Sequence, residues 1–139
     1  MLKRALIALL AIVCLASCKP KREVFVWQGP ARIEFDNDQR EFDFKEISAK
    51  TDKMVLTHDF VFYNTGSEPL VIHEVKTSCG CVTVDFPKEP IKAGEEGVIR
   101  TKLDLTEEPH GFIRRAATVY NNSKNRPEVR LVLEVIVND

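Results

Sequence analysis

The stretch that decides the fold is Glu-Val-Arg-Leu-Val-Leu-Glu-Val-Ile-Val, residues 128–137. Valine or leucine occupies every second position from 129 to 137, and this period of two places those side chains on one face of a β-strand. Val132 and Ile136 are apolar on the opposite face. The segment therefore reads as a strand with two apolar faces, and such a strand needs partners from elsewhere in the chain.

The rest of the chain after residue 23 offers these partners. Helical periodicity is scarce there, and short alternating or apolar segments are separated by clusters of Gly, Pro, Asn and Asp. The segments lie near residues 24–27, 33–35, 42–47, 56–63, 70–75, 82–84, 98–103 and 112–120. With the last strand they amount to about seven to nine short strands at the spacing of a sandwich. The sequence predicts an all-β, Ig-like antiparallel β-sandwich, with a small barrel as the alternative.

The N-terminus has the features of an export signal. Lys3 and Arg4 precede an unbroken apolar run, residues 5–15, which matches the h-region of a cleaved signal peptide and is too short to span a bilayer. The run ends in Leu-Ala-Ser-Cys, residues 15–18, which resembles the lipobox of bacterial lipoproteins. That resemblance implies removal of residues 1–17 and lipidation of Cys18. Several acyl chains on one cysteine would anchor the protein stably, whereas one chain binds only marginally.

The mature chain is then short and nearly balanced in charge. Residues 18–23 are interpreted as a lipidated tether and residues 24–139 as a single Ig-like domain. Residue 19 is Lys rather than Asp, which by resemblance to known sorting rules favours the outer membrane, with the domain facing the periplasm. Removal of two of the 20 Lys and Arg residues leaves 18 against 21 Asp and Glu, so the formal net charge goes from −1 to −3. Both signs are spread along the chain, which argues against nucleic-acid binding.

Two of the four cysteines remain after processing. Cys14 leaves with the signal peptide and Cys18 carries lipid, so Cys79 and Cys81 stay in an oxidising compartment, separated only by Gly80. Residues i and i+2 of a strand share a face with Cα atoms about 6.7 Å apart, the upper edge of disulfide geometry. Gly80 can bend the chain and shorten that gap. Because the loop is tiny, a disulfide there would add little stability.

Four interpretations of the cysteine pair stay open. The first is a local disulfide, and the second is two buried reduced cysteines that pack as small apolar residues. The third is thiol redox or exchange. The fourth is a soft-metal site for Cu(I) or Zn, for which nitrogen ligands are available only from His58, His73 or His110. Each histidine also has a structural interpretation; His58, for example, shares the face of Leu56 and Phe60.

Four motifs stand in order along the chain. They are Asp-Phe-Val-Phe-Tyr-Asn-Thr-Gly (59–66), Pro-Leu-Val-Ile-His-Glu-Val (69–75), Ser-Cys-Gly-Cys (78–81) and Pro-Ile-Lys-Ala-Gly-Glu-Glu-Gly (90–97). With these motifs the sequence resembles the bacterial domain-of-unknown-function 1573 family, which is distantly like the Ig-like domains of abnormal-spindle and hydin-type proteins. The resemblance covers about residues 42–137 and implies an Ig-like fold, but it implies no activity.

The sequence departs from the family pattern at two positions. Lys45 and Glu134 stand where the family usually has glycine, which raises a question about local strand geometry there. For the motif residues themselves we predict structural roles. Asn64 and Gly66 are expected to adopt turn conformations with positive φ, and Pro69 to open a strand. The motif residues are Asn64, Gly66, Pro69, Ser78, Gly80, Pro90 and Gly94.

The chain carries no recognisable catalytic or cofactor motif. It has no nucleophile motif, phosphate loop, HExxH or adjacent Cys–His pair. The favoured hypothesis is a non-enzymatic, lipid-anchored Ig-like module for binding or envelope scaffolding that uses sheet edges or end loops. Its expected partners are the membrane, through Cys18, and an unidentified protein. The alternative is a thiol-redox or metal-handling lipoprotein centred on Cys79 and Cys81.

Overall fold

A computed structural model describes residues 23–50, 54–107 and 110–139, which form two four-stranded β-sheets. The predicted signal peptide and Cys18 lie outside the described residues. The strands are β1 (Ile33–Phe35), β2 (Glu41–Ser48), β3 (Val55–Asn64), β4 (Ile72–Thr77), β5 (Val82–Asp85), β6 (Glu96–Asp104), β7 (Gly111–Asn121) and β8 (Glu128–Asn138). Helix in the described part of the chain is limited to a 3-10 turn at Asp36–Asp38, and no helix there is long and apolar enough to cross a membrane.

The strand order is β1-β3-β6-β5 in one sheet and β2-β8-β7-β4 in the other. The prediction of an all-β sandwich is confirmed. One ladder differs from the antiparallel expectation, because β2 pairs with β8 in parallel. A 3-10 turn connects β1 to β2, and in it Asn37 and Asp38 adopt φ of 51° and 54°. This turn carries the chain from the first sheet to the second.

The core lies between the two sheets, where the alternating residues meet. On β8, the five valines and leucines at 129, 131, 133, 135 and 137 are all buried, while Arg130 on the opposite face is exposed. Burial varies along the opposite face of β8. Val132 is buried beside its ladder neighbour Ala116, but Ile136 is partly exposed. The period of two therefore assigned the inward face of this strand correctly.

The central ladder of the first sheet contains a close aromatic contact. Phe62 of β3 lies opposite Gly97 of β6, and its ring is fully buried. A Cβ atom built on Gly97 would lie 2.7 Å from Cε1 of Phe62, closer than real Cβ contacts allow. The ring therefore occupies the space that any larger residue at position 97 would need.

The two departures from the family pattern have local explanations. Lys45 lies at a register shift in β2 with φ of 67°, a left-handed conformation that usually favours glycine. Asp43 compensates, because it accepts the backbone N–H of Lys45 and its ammonium group, both at 2.8 Å. These bonds hold the pKa of Asp43 below its usual value. Glu134 pairs with Arg114, its ladder partner on β7, at 2.9 Å.

The assignment of faces on β8 can be tested with one pair of variants. Leu133→Ala should lower the free energy of unfolding by about 2–5 kcal/mol, because it removes a buried side chain from the core. Arg130→Ala, on the exposed face of the same strand, should cost less than about 0.5 kcal/mol. Urea denaturation of both variants measures the difference. Equal losses would contradict the register of the sandwich.

Candidate functional site

The cysteine pair forms a disulfide in a tight corner between the two sheets. Cys79 and Cys81 are joined, with their Cα atoms 5.3 Å apart, shorter than the spacing of an extended strand. The corner connects β4 of one sheet to β5 of the other, and both side chains are half-buried against the core. Of the four interpretations open from sequence, the structure has the local disulfide.

Hydrogen bonds hold this corner on both sides. Ser78 donates its backbone N–H to the carbonyl of Ala116 at 2.9 Å and accepts the N–H of Ala116 on its hydroxyl at 3.0 Å. The carbonyl of Cys81 accepts the N–H of Asp104 at 2.8 Å. The motif serine therefore fixes the corner to β7, which is a structural role that the sequence motif did not specify. A rigid corner keeps the disulfide in one position.

An open cleft of about 620 Å³ lies beside the disulfide. Thr106 donates its hydroxyl to Asp104 at 2.6 Å and lowers the pKa of that carboxyl. The cleft therefore combines a disulfide with the carboxylates of Asp104 and Glu107, and the charge of Lys102 also acts on Asp104. Its described lining residues are Cys79, Gly80, Cys81, Asp104, Thr106 and Glu107.

The three histidines lie away from this cleft. His58 on β3 stacks on Phe42 with ring centroids 3.6 Å apart and contacts Phe60 edge-on. This partial burial lowers the pKa of His58, and the nearby Asp59 carboxylate opposes the effect only in part. His73 is exposed on β4, and the imidazole of His110 contacts Asp139. Within residues 23–50, 54–107 and 110–139, no three His, Cys, Asp or Glu side chains are placed to hold a metal ion.

The other family motifs converge at the opposite end of the sandwich, on the buried side chain of Asn64. Its Oδ1 atom accepts the backbone N–H of Arg32 at 3.3 Å and that of Gly66 at 3.0 Å. Its Nδ2 group donates to the carbonyls of Glu68 at 2.7 Å and Ile91 at 2.9 Å. One fully buried amide thus joins three separate chain segments.

The predicted positive φ at Asn64 and Gly66 is wrong. Neither residue is in the left-handed region; among the motif residues, Gly94 is, with φ of 76°. Asn64 is the last residue of β3 and acts through its side chain. Gly66 is required for a different reason, since a Cβ there would lie 2.8 Å from both the Cα of Ala31 and the backbone nitrogen of Arg32. The glycine admits the N-terminal segment, which packs directly over it.

The two motif prolines precede a short isolated bridge. Leu70 and Ile91 exchange backbone hydrogen bonds at 2.9 and 2.8 Å, and Pro69 and Pro90 stand directly before them. A proline at this position costs the bridge no donor, as expected for Pro69. The bridge and the amide of Asn64 together close this end of the sandwich.

Sequence reasoning missed a second group of asparagines in the loop between β7 and β8. Asn125 accepts the N–H of Ile33 at 3.0 Å and donates to its carbonyl at 2.8 Å, which imitates a neighbouring strand. Asn122 accepts the N–H of Val71 at 2.8 Å and donates to the carbonyl of Pro69 at 3.0 Å. The repeated asparagine in Asn-Asn-Ser-Lys-Asn, residues 121–125, was the available signal, because asparagine carries both a donor and an acceptor.

The domain therefore has two distinct ends. We call the end where residues 23–32, 64–70, 90–95 and 121–127 meet the tether end, because the chain enters there. We call the end that carries residues 78–81 and 104–107 the disulfide end. The ten residues of β3 run from one to the other, a distance of about 30 Å.

Comparison with protein families gives one match. The model of the family described as "Protein of unknown function (DUF1573)" matches residues 33–137. The match begins at β1, earlier than the start near residue 42 inferred from the motifs. No curated protein matches the chain.

Solved structures share the fold at low sequence identity. A protein of unknown function from Porphyromonas gingivalis W83 has a TM-score of 0.63 and 17% identity, over 85% of this chain and 51% of that one. The ASH/PapD-like domain 7 of human CEP192 has a TM-score of 0.59 and 8% identity, over 94% and 96%. The secreted serine protease VesC of Vibrio cholerae has a TM-score of 0.56 and 11% identity, over 77% and 23%.

These similarities show the fold alone. This chain spans about half of the P. gingivalis protein and less than a quarter of VesC. The match to the CEP192 domain covers nearly all of both chains and agrees with the Ig-like fold that the motifs implied.

We expect the disulfide to be dispensable for the fold. In the double variant Cys79→Ser, Cys81→Ser, we expect a folded, soluble domain, because the three-residue loop contributes little chain entropy. Each serine hydroxyl that is buried without a partner costs about 1–3 kcal/mol. Circular dichroism and urea denaturation measure the outcome. A variant that fails to fold would show that the corner is a structural staple.

Proposed function

Because this chain belongs to the DUF1573 family and has the Ig-like, PapD-like fold, we propose that it is a binding or envelope-scaffold module rather than an enzyme. In this proposal, lipid on Cys18 anchors it to the outer membrane and the domain faces the periplasm. The anchor and the location rest on the N-terminal sequence: a basic start, an apolar run, the Leu-Ala-Ser-Cys motif and Lys19.

The observation that carries the proposal is the separation of the two ends. The backbone N–H of Trp27 donates to the carbonyl of Thr65 at 2.7 Å, so the first described residues lie at the tether end. The disulfide end then points away from the anchor, about 30 Å along the strands. Loops at the end of a rigid sandwich are the usual place for binding residues. We therefore assign partner binding to the disulfide end.

Edge strands lie beside the disulfide corner. β4 and β5, which flank the disulfide corner, are edge strands of their respective sheets, and edge strands can accept an added strand from a partner. β1 and β2 are the opposite edges. β1 has only three residues, and β2 is interrupted by the bulge at Lys45, a feature that disfavours edge pairing. β4 also has a register shift, between Ile72 and Glu74, and β5 has only four residues, so the assignment to the disulfide end rests on its loops and on its distance from the anchor.

The position of the disulfide favours a second candidate function, thiol–disulfide exchange. Cys79 and Cys81 line the open cleft, so an incoming protein thiolate could reach a sulfur. Its attack would form a mixed disulfide with one cysteine and release the other as a thiolate. The double serine variant, which we expect to fold, separates the candidates, because binding through loops and edges does not need the sulfur atoms, whereas exchange does.

The anchor is tested at Cys18. Cys18→Ala should abolish labelling with radioactive fatty acid and leave the protein unprocessed or extractable without detergent, because the acceptor thiol is gone. Ser17→Ala keeps a small residue before the cysteine and serves as a control that should still be labelled. A Cys18→Ala protein that still carries label and stays with membranes after a high-salt wash would contradict the anchor.

Partner binding is tested by photo-crosslinking in intact cells. A photoreactive residue at Glu107, exposed beside the cleft, should yield a discrete adduct, because partners are assigned to the disulfide end. The same residue at Lys92, exposed at the tether end, is the matched control and should yield none of that adduct. Adducts at Lys92 alone, or equal adducts at both positions, would contradict the assignment.

A further inference from the structure

Two large aromatic side chains project from the segment that precedes β1. Phe25 is 73% exposed and Trp27 is 58% exposed, and their rings contact edge-to-face with centroids 5.4 Å apart. Apolar side chains of this size are normally covered, and an adjacent exposed pair marks a surface that meets something less polar than water.

The backbone holds this pair in its outward position. Trp27 forms a parallel bridge with Gly66, in addition to its hydrogen bond to Thr65. Val26, between the two aromatic residues in sequence, faces the domain and lies near Gly94, where an added Cβ would be 3.2 Å from its methyl group. Since alternate residues of an extended segment point to opposite sides, Phe25 and Trp27 face outward together. Their orientation follows from contacts of the segment with the tether end.

We propose that Phe25 and Trp27 dock this end of the domain into the surface of the phospholipid bilayer that carries the acyl chains of Cys18. This inference rests on the proposed lipid anchor. Only six residues, 19–24, lie between Cys18 and Phe25, and the seven steps from one Cα atom to the other span at most about 25 Å, so the pair is confined near the headgroups. Aromatic residues concentrate at that depth, because their rings are apolar and the indole N–H still finds a polar partner.

Charge near the pair favours insertion of the rings over electrostatic adhesion. Glu23, Glu34 and Asp36 line the shallow depression beside the aromatic residues, while Lys19, Lys21 and Arg22 precede it in the tether. The mixed signs offset one another at an anionic surface. The docking should therefore survive salt, because the transfer of apolar rings is not screened.

Trp27 is the only tryptophan, so its fluorescence reports the contact directly. The mature full-length lipoprotein is reconstituted into vesicles of phosphatidylethanolamine with a minor fraction of phosphatidylglycerol, with and without brominated phosphatidylcholine. We expect emission at shorter wavelength than in the detergent-free Cys18→Ala protein, loss of emission with brominated lipid, and little change at high salt. Emission that stays at long wavelength and is insensitive to brominated lipid overturns the proposal.

A matched control places the reporter at the other end. In Trp27→Phe, Phe112→Trp, the tryptophan replaces another aromatic residue that is 65% exposed but lies towards the disulfide end. Its emission should not respond to brominated lipid. Equal responses of both reporters would mean that the domain has no preferred orientation and would overturn the proposal.

Mass spectrometry of the same sample separates two kinds of failure. A protein without acyl chains refutes the proposed anchor, and a fully acylated protein with unquenched Trp27 refutes the docking alone. Unquenched Trp27 that is also protected from an aqueous quencher would mean that a second copy or another protein covers the pair, which likewise overturns the bilayer as its occupant.

Discussion

The amide of Asn64 is the interaction on which the rest of this structure depends. Asn64 is the last residue of β3. Its side chain forms hydrogen bonds with backbone N–H and C=O groups around it that belong to no strand. Because the side chain is fully buried, water cannot take its place, and an unpaired backbone group there would carry its whole desolvation penalty. The N-terminal segment, the turn after β3 and the bridge at Ile91 share this one side chain. Contacts at this same end of the sandwich orient the exposed pair Phe25 and Trp27.

Much of the fold follows from local pattern. The alternation on β8 predicted which of its faces is buried, since the side-chain period of a strand is a property of consecutive residues. Asn64, Gly66 and Pro69 lie at or near the connection between β3 and β4, but the turn conformations predicted for Asn64 and Gly66 were wrong. The reasons behind the motifs were harder to predict, because they involve contacts far apart in sequence. Gly66 is small because residues 30–32 pack over it, and Asn125 pairs with Ile33 from 92 positions away. No short stretch of the sequence contains both residues of either contact.

The candidate site was predictable only in part, for a related reason. The spacing of Cys79 and Cys81 drew attention to the pair, but four chemical states remained open, because geometry depends on whether Gly80 lies in a strand or in a corner. The corner arises from the switch between sheets, which is a global feature. The cleft beside it is shaped by residues 104–107, beyond the reach of any motif around the cysteines. Of the histidines considered as ligands, His58 belongs to an aromatic cluster and His110 contacts Asp139.

The parallel ladder between β2 and β8 has a consequence for how the polypeptide acquires its shape. Residues 41–48 obtain their hydrogen-bonded neighbour only when residues 128–138 are present, so the second sheet cannot assemble progressively from the N-terminal side. Contacts between residues so far apart in sequence form late and slowly, because the chain loses loop-closure entropy before the contacts stabilise it. Until those last residues arrive, β2 lacks its ladder partner and is exposed to mispairing with other strands.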